Sequence, residues 1–515
     1  MSGLSSSKYM VAFAAMVGTL MEVVDTSVAN VSLPHMQGTF SASIDEITWV
    51  LTSYLVANAI ILPITGWLGN YFGRKRFYMV CLAIFTLASL GSGAAPTLAF
   101  LVVMRVIQGF AGGAMVPMSQ AILLESFPKE EHGKAMALFG VGVVFGPIIG
   151  PTLGGWITDN LTWRWVFYIN IPVGVLGILA ALVFISDPAY LKRPEGKVDY
   201  WSFVFIALGL GSLEVMLNRG QRFDWFSSNF IRLFALFAAT GIALFIWRSL
   251  TARNPLVDLR LFKDRAFLSG TLLMFLLGFG LYGSFTMLPL YAQTLMGYTA
   301  MWAGLVLSPG GIASLVAMGI VGSLIGKVDT RLLVAFGAVC NIYSLWILRD
   351  VNLNVDFMYL TASRLFQGFG LGFLFVPITT AAFAGLAPRQ VGQGTGLFNL
   401  LRNEGGSVGI AMSATVLARR MQFHQGHLIE RLNAFDPAFR WQVGAFSQGL
   451  VAQSGAASST AHRMAIGLMG GLVHQQAAVL AYVDVFWMLT LAFVVFLPFV
   501  LLLRGRVARG APAVH

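Results

Sequence analysis

The amino-acid sequence predicts an all-α polytopic membrane protein with fourteen transmembrane helices, arranged as two six-helix halves with two further helices between them. Three observations predict this class. Hydrophobic residues make up 57% of the 515-residue chain and charged residues only 11%, and the mean hydropathy is +0.76, a balance outside the range of water-soluble domains. Apolar segments long enough to cross a bilayer recur along the chain, and a motif of the first half returns in the second.

The apolar segments define the spans. A helix needs about 20 apolar residues to cross the roughly 30 Å of hydrocarbon in a bilayer. Segments of about that length occupy residues 9–33, 47–68, 77–95, 98–124, 136–156, 163–185, 200–216, 230–246, 266–291, 302–325, 332–348, 357–386, 394–418 and 483–503. An even number of spans places both termini on the same side of the membrane.

The lysines and arginines indicate which side that is. Twenty of the thirty-three lie in segments on the side of the termini, whereas the opposite short loops hold few. The positive-inside rule therefore places both termini in the cytoplasm. The same distribution explains the net charge of +11 better than nucleic-acid binding does, because the basic residues form short clusters between spans.

An internal duplication divides the chain. "RVIQGFAGGAMVP" from Arg105 recurs as "RLFQGFGLGFLFVP" from Arg364, 259 residues later, and parallel six-span repeats are typical of secondary transporters. Spans seven and eight have no counterpart in the other half. We therefore expect a first half at residues 1–190, an inserted pair at 191–262 and a second half at 263–515, with a long periplasmic segment at 419–482.

Span one contains two carboxylates, Glu22 and Asp25, on one helix face. Charges at bilayer depth need a partner or a water-filled cavity. By helical rise, Arg105 of span four lies at a similar depth, so we expect it to face Asp25 or Glu22, with Gln108 one turn on. Two close carboxylates do not both ionise easily in a poorly solvated site, which predicts proton binding. The alternative is that Asp25 only balances Arg105 in a fixed ion pair.

Span thirteen supplies a second polar group near the middle of the membrane. Its residues Asn399, Arg402 and Glu404 make Glu404 a further candidate proton or cation site, unless it pairs with a neighbouring helix. Glu214, near the outer end of span seven, is expected to snorkel to water.

Span five contains "GPIIGPTLGG", whose glycines and prolines permit close and bendable helix packing. Motifs for nucleotide hydrolysis, zinc proteolysis and serine hydrolysis do not occur in the sequence. The two cysteines, Cys81 and Cys340, lie in apolar spans and the histidines lack ligand spacing, so we expect neither a metal nor catalytic activity.

Taken together, these motifs resemble the major facilitator superfamily, and more narrowly its fourteen-span drug:proton antiporter family of the EmrB and QacA type, closest to the EmrB subgroup. The resemblance covers essentially the whole chain. It is carried by "VVDTSVANVSLP", "GWLGNYFGRKR", "RVIQGFAGG", "GPIIGPTLGG", "WRWVFYINIPVG" and "LNRGQRFDWFSS".

The resemblance implies roles for individual residues. Asp25 is the first-span acid of proton and substrate handling, and Arg105 the fourth-span arginine of proton coupling. Glu22 and Glu404 are not obligatory family positions, but their place in the spans adds them to the expected coupling set. The expected substrate-binding set is Glu22, Asp25, Gln108, Gln367, Asn399, Arg402 and Glu404. The antiporter motif comprises Gly146, Pro147, Gly150, Pro151, Gly154 and Gly155, and the cytoplasmic gating loop comprises Gly66, Asn70, Gly73, Arg74 and Lys75. Asn70 and Tyr71 stand where this loop usually has an Asp and an Arg, which predicts a weaker charge contact.

The function that follows is export of hydrophobic or amphiphilic drugs across the bacterial inner membrane by alternating access, driven by the proton gradient without a cofactor. The acids in the cavity favour cationic or neutral substrates, and Arg402 keeps anionic substrates as an alternative. The resemblance also implies a periplasmic adaptor of the EmrA type docked on residues 419–482 and, through it, an outer-membrane channel of the TolC type. A solvated loop without a partner is the alternative for this segment. An uptake symporter or facilitator, and a non-transporting membrane sensor or scaffold, are the alternative functions.

Overall fold

The computed structural model describes residues 8–188, 199–252, 255–430, 432, 435–454 and 457–503. In this part of the chain, eighteen α-helices, joined by short turns and five 3₁₀ helices, account for nearly all of the secondary structure. The predicted boundary at residues 190 and 191 lies outside the described residues, and so do both termini of the chain.

Nine helices build the first half. They are α1 (Lys8–Phe40), α2 (Ile44–Ile47), α3 (Trp49–Ile61), α4 (Thr65–Phe72), α5 (Arg74–Gly93), α6 (Leu98–Ser126), α7 (His132–Asn160), α8 (Trp165–Tyr168) and α9 (Asn170–Phe184). A 3₁₀ turn at Leu62–Ile64 separates α3 from α4, where Pro63 lacks the N–H that a continuous helix would use. Helices α3 and α4 together correspond to predicted span two.

The inserted pair and the second half supply the other nine. They are α10 (Tyr200–Arg219), α11 (Asn229–Thr251), α12 (Arg265–Thr294), α13 (Ala300–Leu324), α14 (Thr330–Ile347), α15 (Phe357–Phe383), α16 (Pro388–Glu430), α17 (Pro437–Ser454) and α18 (Ser458–Val500). Aspartate side chains cap the first backbone N–H groups of α10, α12, α14 and α15, which fixes where these helices begin.

Thirteen helices in the described part of the chain are long and apolar enough to cross a membrane. They match thirteen of the fourteen predicted spans. The remaining span, at residues 394–418, lies inside α16, which has 43 residues. Helix α16 is long enough to cross a membrane, but it is not among the thirteen because its sequence is too polar. Arg402 and Glu404 contribute to this polarity.

The two halves repeat the same helix packing. In the first half, α1 packs on α6, α7 and α9, α6 also packs on α3 and α5, and α5 packs on α9. In the second half, α12 packs in the same way on α15, α16 and α18, α15 on α13 and α14, and α14 on α18. This repetition confirms the predicted class of two pseudo-symmetric six-helix halves with an inserted pair.

The halves meet along two seams. Helix α7 packs against α13 on one side, and α16 packs against α4 and the 3₁₀ turn on the other. The inserted helix α10 lies on this second seam, in contact with both α3 and α16.

The segment at 419–482 extends the last two spans. Helix α16 continues to Glu430, and α18 begins at Ser458, well before the predicted span. Helix α17 packs on α18 through a small core that includes Val443 and Met469. We call residues 419–482 the helical projection, because most of its described part is helical.

Candidate functional site

The carboxylate of Asp25 lies at the centre of a buried polar cluster in the first half. Arg105 Nη1 donates to Asp25 Oδ2 at 2.6 Å, and the side chains of Asp25 and Arg105 are both 0% exposed. Gln108 Nε2 and Asn170 Nδ2 donate to Asp25 Oδ1 at 2.9 Å and 2.7 Å. The predicted pairing of Arg105 with a span-one carboxylate is therefore confirmed, and Gln108 belongs to the same cluster.

The packing around Arg105 holds this ion pair in place. Its guanidinium lies 4.2 Å from the ring centroid of Tyr54, within the range of a cation–π contact, and its Nε donates to Val50 O at 3.2 Å. Ser89 Oγ accepts from Gln108 at 2.8 Å. Arg105, Gln108 and Asn170 thus all donate to this one buried carboxylate.

Glu22, one turn from Asp25, has a less complete set of partners. Tyr54 Oη and Asn58 Nδ2 both donate to Glu22 Oε1 at 3.1 Å, and within the described chain no donor reaches Oε2. Glu22 therefore keeps one carboxylate oxygen available for a proton or a ligand.

A polar bridge connects this acid to the second half. Asn403 Nδ2 lies 3.4 Å from Asn58 Oδ1, and Arg402 Nη2 donates to Asn403 Oδ1 at 3.2 Å. Arg402 Nη1 is buried without a partner among the described residues, and Arg402 is near enough to Glu22 for an electrostatic attraction. Glu22 and Arg402 therefore offer opposite charges from the two halves.

A small cavity lies between the halves beside Arg402. Its walls are apolar and aromatic, with Arg402 as the one charged residue: Val143, Val144, Leu277, Gly278, Leu281, Tyr282, Phe285, Leu371, Phe375 and Arg402. Apolar walls with few polar groups are typical of small-molecule sites. Asn399, also expected to bind substrate, instead donates to Gln120 Oε1 across the seam at 2.6 Å.

The prediction that Glu214 snorkels to water is wrong. Glu214 is only 2% exposed, its Oε1 accepts from Ser407 Oγ of α16 at 2.7 Å, and its Oε2 accepts from Asn218 Nδ2 at 2.8 Å. The reason is that α10 packs on α16, which covers the carboxylate. Glu404, also on α16, is 6% exposed, and neither of its carboxylate oxygens has a hydrogen-bond partner within the described chain.

The second half contains a cluster that resembles the Asp25 cluster, but with a serine in place of the carboxylate. Arg364 Nη2 donates to Ser284 O at 2.7 Å, Gln367 Nε2 donates to Ser284 Oγ at 2.7 Å, and Arg364 Nη1 donates to Gln367. The offset of 259 residues that relates Arg364 to Arg105 also relates Ser284 to Asp25. Gln367 therefore lies in this separate cluster, away from the Asp25 group.

The antiporter motif of α7 packs on the helix that carries the acids. A Cβ added at Gly146 would lie 2.4 Å from Val23 Cγ1, and one added at Gly150 would lie 2.3 Å from Ser27 Cβ and Oγ. Gly154 faces Val28 of α1, one turn further on, and Gly155 is buried beside it. These glycines let α7 approach α1 closely next to Glu22 and Asp25.

One proline of the motif contacts the second half. Pro151, together with Thr152, lies against Gly304 of α13, so this part of the motif contacts the second half. The side chain of Pro147 lies outside the described residues.

The gating loop contacts the second half through backbone and charge. A Cβ added at Gly66 would lie 2.3 Å from the backbone carbonyl of Gly392, so these helices touch backbone to backbone. Arg74 donates from Nη2 and Nε to Glu125 at 2.7 Å and 3.2 Å, and its guanidinium also borders Gly392. The two halves are therefore in direct contact at the gating loop.

The rest of the loop is held by the end of α9. Gly73 has φ of 89°, a left-handed conformation that glycine adopts without strain. Asp187 Oδ1 accepts from the Lys75 backbone N–H at 2.9 Å, and Lys75 Nζ donates to Leu182 O at 2.5 Å. Asn70, on α4, is half-buried. Charge contacts thus exist in this loop despite its atypical sequence, through Glu125 and Asp187.

Several members of these clusters did not enter the prediction. Tyr54 and Asn58 contact Glu22, and Asn170 contacts Asp25. Ser89 accepts from Gln108 and Asn170, and Gln120 joins the seam. Asn58 and Asn170 are amides inside apolar segments, a signal that a search limited to charged residues passes over.

Known proteins share this fold and sequence. The chain matches the model of the Major Facilitator Superfamily over residues 15–410. It is 34% identical over 483 residues to the multidrug export protein EmrB of Escherichia coli K12, covering 93% of this chain and 92% of that protein. It is 37% identical over 425 residues to EmrB of Haemophilus influenzae, covering 81% of this chain and 82% of that protein.

A solved structure shows the same fold at a greater distance. The human organic anion transporter MFSD10 aligns with a TM-score of 0.58 and 14% identity, covering 95% of this chain and 99% of that one. The chain is therefore a multi-pass membrane protein that belongs to the major facilitator superfamily, with transporters of the EmrB type as its relatives.

Proposed function

We propose that this protein is a proton-coupled multidrug efflux transporter that exports hydrophobic or amphiphilic compounds across the bacterial inner membrane by alternating access. The observation that supports this function most directly is the buried ion pair of Asp25 and Arg105, with Glu22 one turn from Asp25. Both acids lie on α1, the helix on which the antiporter motif packs. Buried charges of this kind mark proton and substrate pathways in membranes. The printed names of the EmrB relatives support the same function.

The transport cycle uses competition between drug and protons. A drug enters the cavity beside Arg402 from the cytoplasm or the inner leaflet and displaces a proton from Glu22, Asp25 or Glu404. Protons arriving from the outside restore the acids and favour release of the drug outward. A ligand shifts the two states only by its differential affinity for them, so shared carboxylates are sufficient to couple the two fluxes.

The cavity chemistry defines the substrate class. Tyr282, Phe285 and Phe375 offer aromatic surface, which binds diverse ring systems without demanding one shape. Arg402 in the wall and Glu22 near it supply one charge of each sign. We therefore expect amphiphiles of either charge to bind, with an apolar body in the cavity.

The proposal includes a location and an energy source. The positive-inside distribution supports cytoplasmic termini in an inner membrane. Exchange of protons at the buried acids requires only the proton gradient, so no cofactor is involved.

The helical projection is proposed to dock a periplasmic adaptor of the EmrA type and, through it, an outer-membrane channel of the TolC type. Trp441 is 75% exposed on α17 and Ile429 is 53% exposed near the end of α16, and exposed apolar side chains outside a bilayer favour a protein partner. Replacing Trp441 with Ser is expected to weaken binding of a purified adaptor while leaving drug transport in everted vesicles unchanged, because transport there needs no adaptor.

Drug transport in everted membrane vesicles tests the function. Acidifying the vesicle interior should drive accumulation of a fluorescent drug in vesicles with this protein, and the drug should in turn release protons from the vesicles. Uptake in the opposite direction would identify a symporter. Normal drug resistance and proton-coupled flux in an Asp25→Asn variant would instead favour a sensor or scaffold role.

A further inference from the structure

The inserted helix α10 is attached to both halves of the transporter. On the first-half side, Arg219 Nη2 donates to Asp45 O at 3.0 Å. On the second-half side, Glu214 accepts from Ser407 at 2.7 Å, and Trp225, just after α10, donates to Thr415 Oγ1 at 3.0 Å. The insertion therefore spans the seam along which α16 meets the first half.

Two carboxylates meet where α10 contacts α16. Glu214 and Glu404 are 2% and 6% exposed, and their charges are close enough to interact. Glu404 and Ser407 lie three residues apart on α16 and so share one helix face. Glu214 is hydrogen-bonded through both oxygens, whereas both oxygens of Glu404 lack a hydrogen-bond partner within the described chain.

No cation balances these acids. Within the described residues, no lysine, arginine or histidine lies within ion-pair distance of either carboxylate. Basic residues on the helices that pack here make other contacts: Arg219 with Asp45, Arg402 with Asn403, Arg232 with Phe226 O, Arg248 with Asp199, and Arg420 and His424 with Asp484. Two ionised carboxylates in this position would combine burial with repulsion, each of which is costly.

We propose that Glu214 and Glu404 form a second proton-binding site, in which one proton is shared between the inserted helix and α16. One carboxyl group donates its O–H to the other, which satisfies an oxygen of Glu404 and leaves a single negative charge. When α16 moves relative to α10, the pair separates and the proton passes to water. The inference rests on the proposed function, and it gives the inserted helices a part in proton coupling.

Infrared spectroscopy of the purified full-length protein tests the site directly. The C=O band of protonated carboxyl groups, compared in H₂O and D₂O, should contain one component that both Glu214→Gln and Glu404→Gln remove or shift. Relative to the wild type, the double variant should lose the band area of one protonated carboxyl group and no more, because the two acids share one proton. Ser407→Ala, which keeps both acids, should move the component without changing its area.

Three outcomes would overturn the proposal. A double variant that loses the band area of two protonated carboxyl groups indicates two independent protonated acids. An unchanged spectrum in all variants indicates that neither acid is protonated. Loss of the component when sodium or potassium replaces choline in the buffer indicates a metal-cation site in place of a proton site.

The controls separate this inference from the proposed function. Glu130→Gln, at an exposed position between α6 and α7, should leave the band unchanged, and size-exclusion profiles report whether each variant is folded. The spectra need no transport, so they stand even if the drug is not exported. Conversely, the wild-type protein could export drugs with proton coupling while the Glu214→Gln and Glu404→Gln variants leave the infrared band unaltered. That combination would refute only the shared site.

Discussion

Arg105 and Asp25 form a fully buried ion pair of 2.6 Å in the first half of the protein. At the equivalent place in the second half, Arg364 faces Ser284, which has no charge. The duplication therefore preserved the arginine and its glutamine but placed the carboxylate in one half only. Among the described residues, a carboxylate contacts this arginine in the first half and not in the second.

Supplying the missing carboxylate tests this asymmetry. Ser284→Asp is expected to pair with Arg364 and to raise the free energy of unfolding by about 1 to 3 kcal/mol relative to Ser284→Asn, since hydrogen bonds to charged groups are of that size. Chemical denaturation in detergent measures the difference. An Asp variant less stable than the Asn variant would show that Arg364 does not need a counter-charge.

The backbone contact between Gly66 and Gly392 predicts a steric effect on transport. Gly66→Ala inserts a methyl group where no space exists, and overpacking of this kind costs about 1 to 3 kcal/mol. The closed contact between Gly66 and Gly392 should become roughly five- to 150-fold less populated, so drug export should fall. Gly38→Ala is the matched control, because nothing lies within 4 Å of its added Cβ. Equal export by both variants would exclude the contact from the cycle.

The Arg74–Glu125 pair predicts that the shape of the cation matters as well as its charge. Arg74 donates two hydrogen bonds to one carboxylate, and lysine cannot reproduce that geometry. Arg74→Lys should therefore reduce the export rate in everted vesicles despite keeping the charge. The exchange of Arg74→Glu with Glu125→Arg should recover part of the loss, whereas export by Arg74→Lys at the wild-type rate would show that only charge is needed.

Arg402 and Glu22 predict opposite changes in substrate preference. Arg402→Gln should weaken export of anionic amphiphiles, because the charge in the cavity wall is removed. Glu22→Gln should weaken export of cationic ones. The measurement is the export-rate ratio of an anionic to a cationic fluorescent substrate of matched size. Equal shifts of this ratio in both variants would mean that neither residue discriminates by charge.

The sequence predicted the helices and the first buried pair well because both follow from strong local rules. Apolar length identified thirteen spans directly. The cost of a charge in hydrocarbon predicted that Arg105 faces Asp25 or Glu22, and it pairs with Asp25. The offset of 259 residues also relates Ser284 to Asp25 in the sequence. Only the structure shows that Ser284 contacts Arg364, so that this arginine faces an uncharged residue where Arg105 faces a carboxylate.

What the sequence did not predict depends on contacts between distant helices. Glu214 lies near the end of an apolar segment, where snorkelling is the simplest expectation. Its burial results from the packing of α10 on α16, which no local pattern records. The same holds for Asn58 and Asn170, whose amides contact acids of α1 from other helices. In the helical projection, α16 and α18 remain helical beyond the point where the apolar sequence stops. Apolar length therefore did not predict where these two helices end and begin.

Drug-evoked proton release from the purified protein tests the central claim most directly. Adding a transported drug to the weakly buffered wild-type protein should release protons, and Asp25→Asn, Glu22→Gln and Glu404→Gln should each reduce the number released. Glu130→Gln should behave as the wild type. Proton release that is unchanged in all three buried-acid variants would contradict the proposal that these carboxylates couple drug export to proton entry.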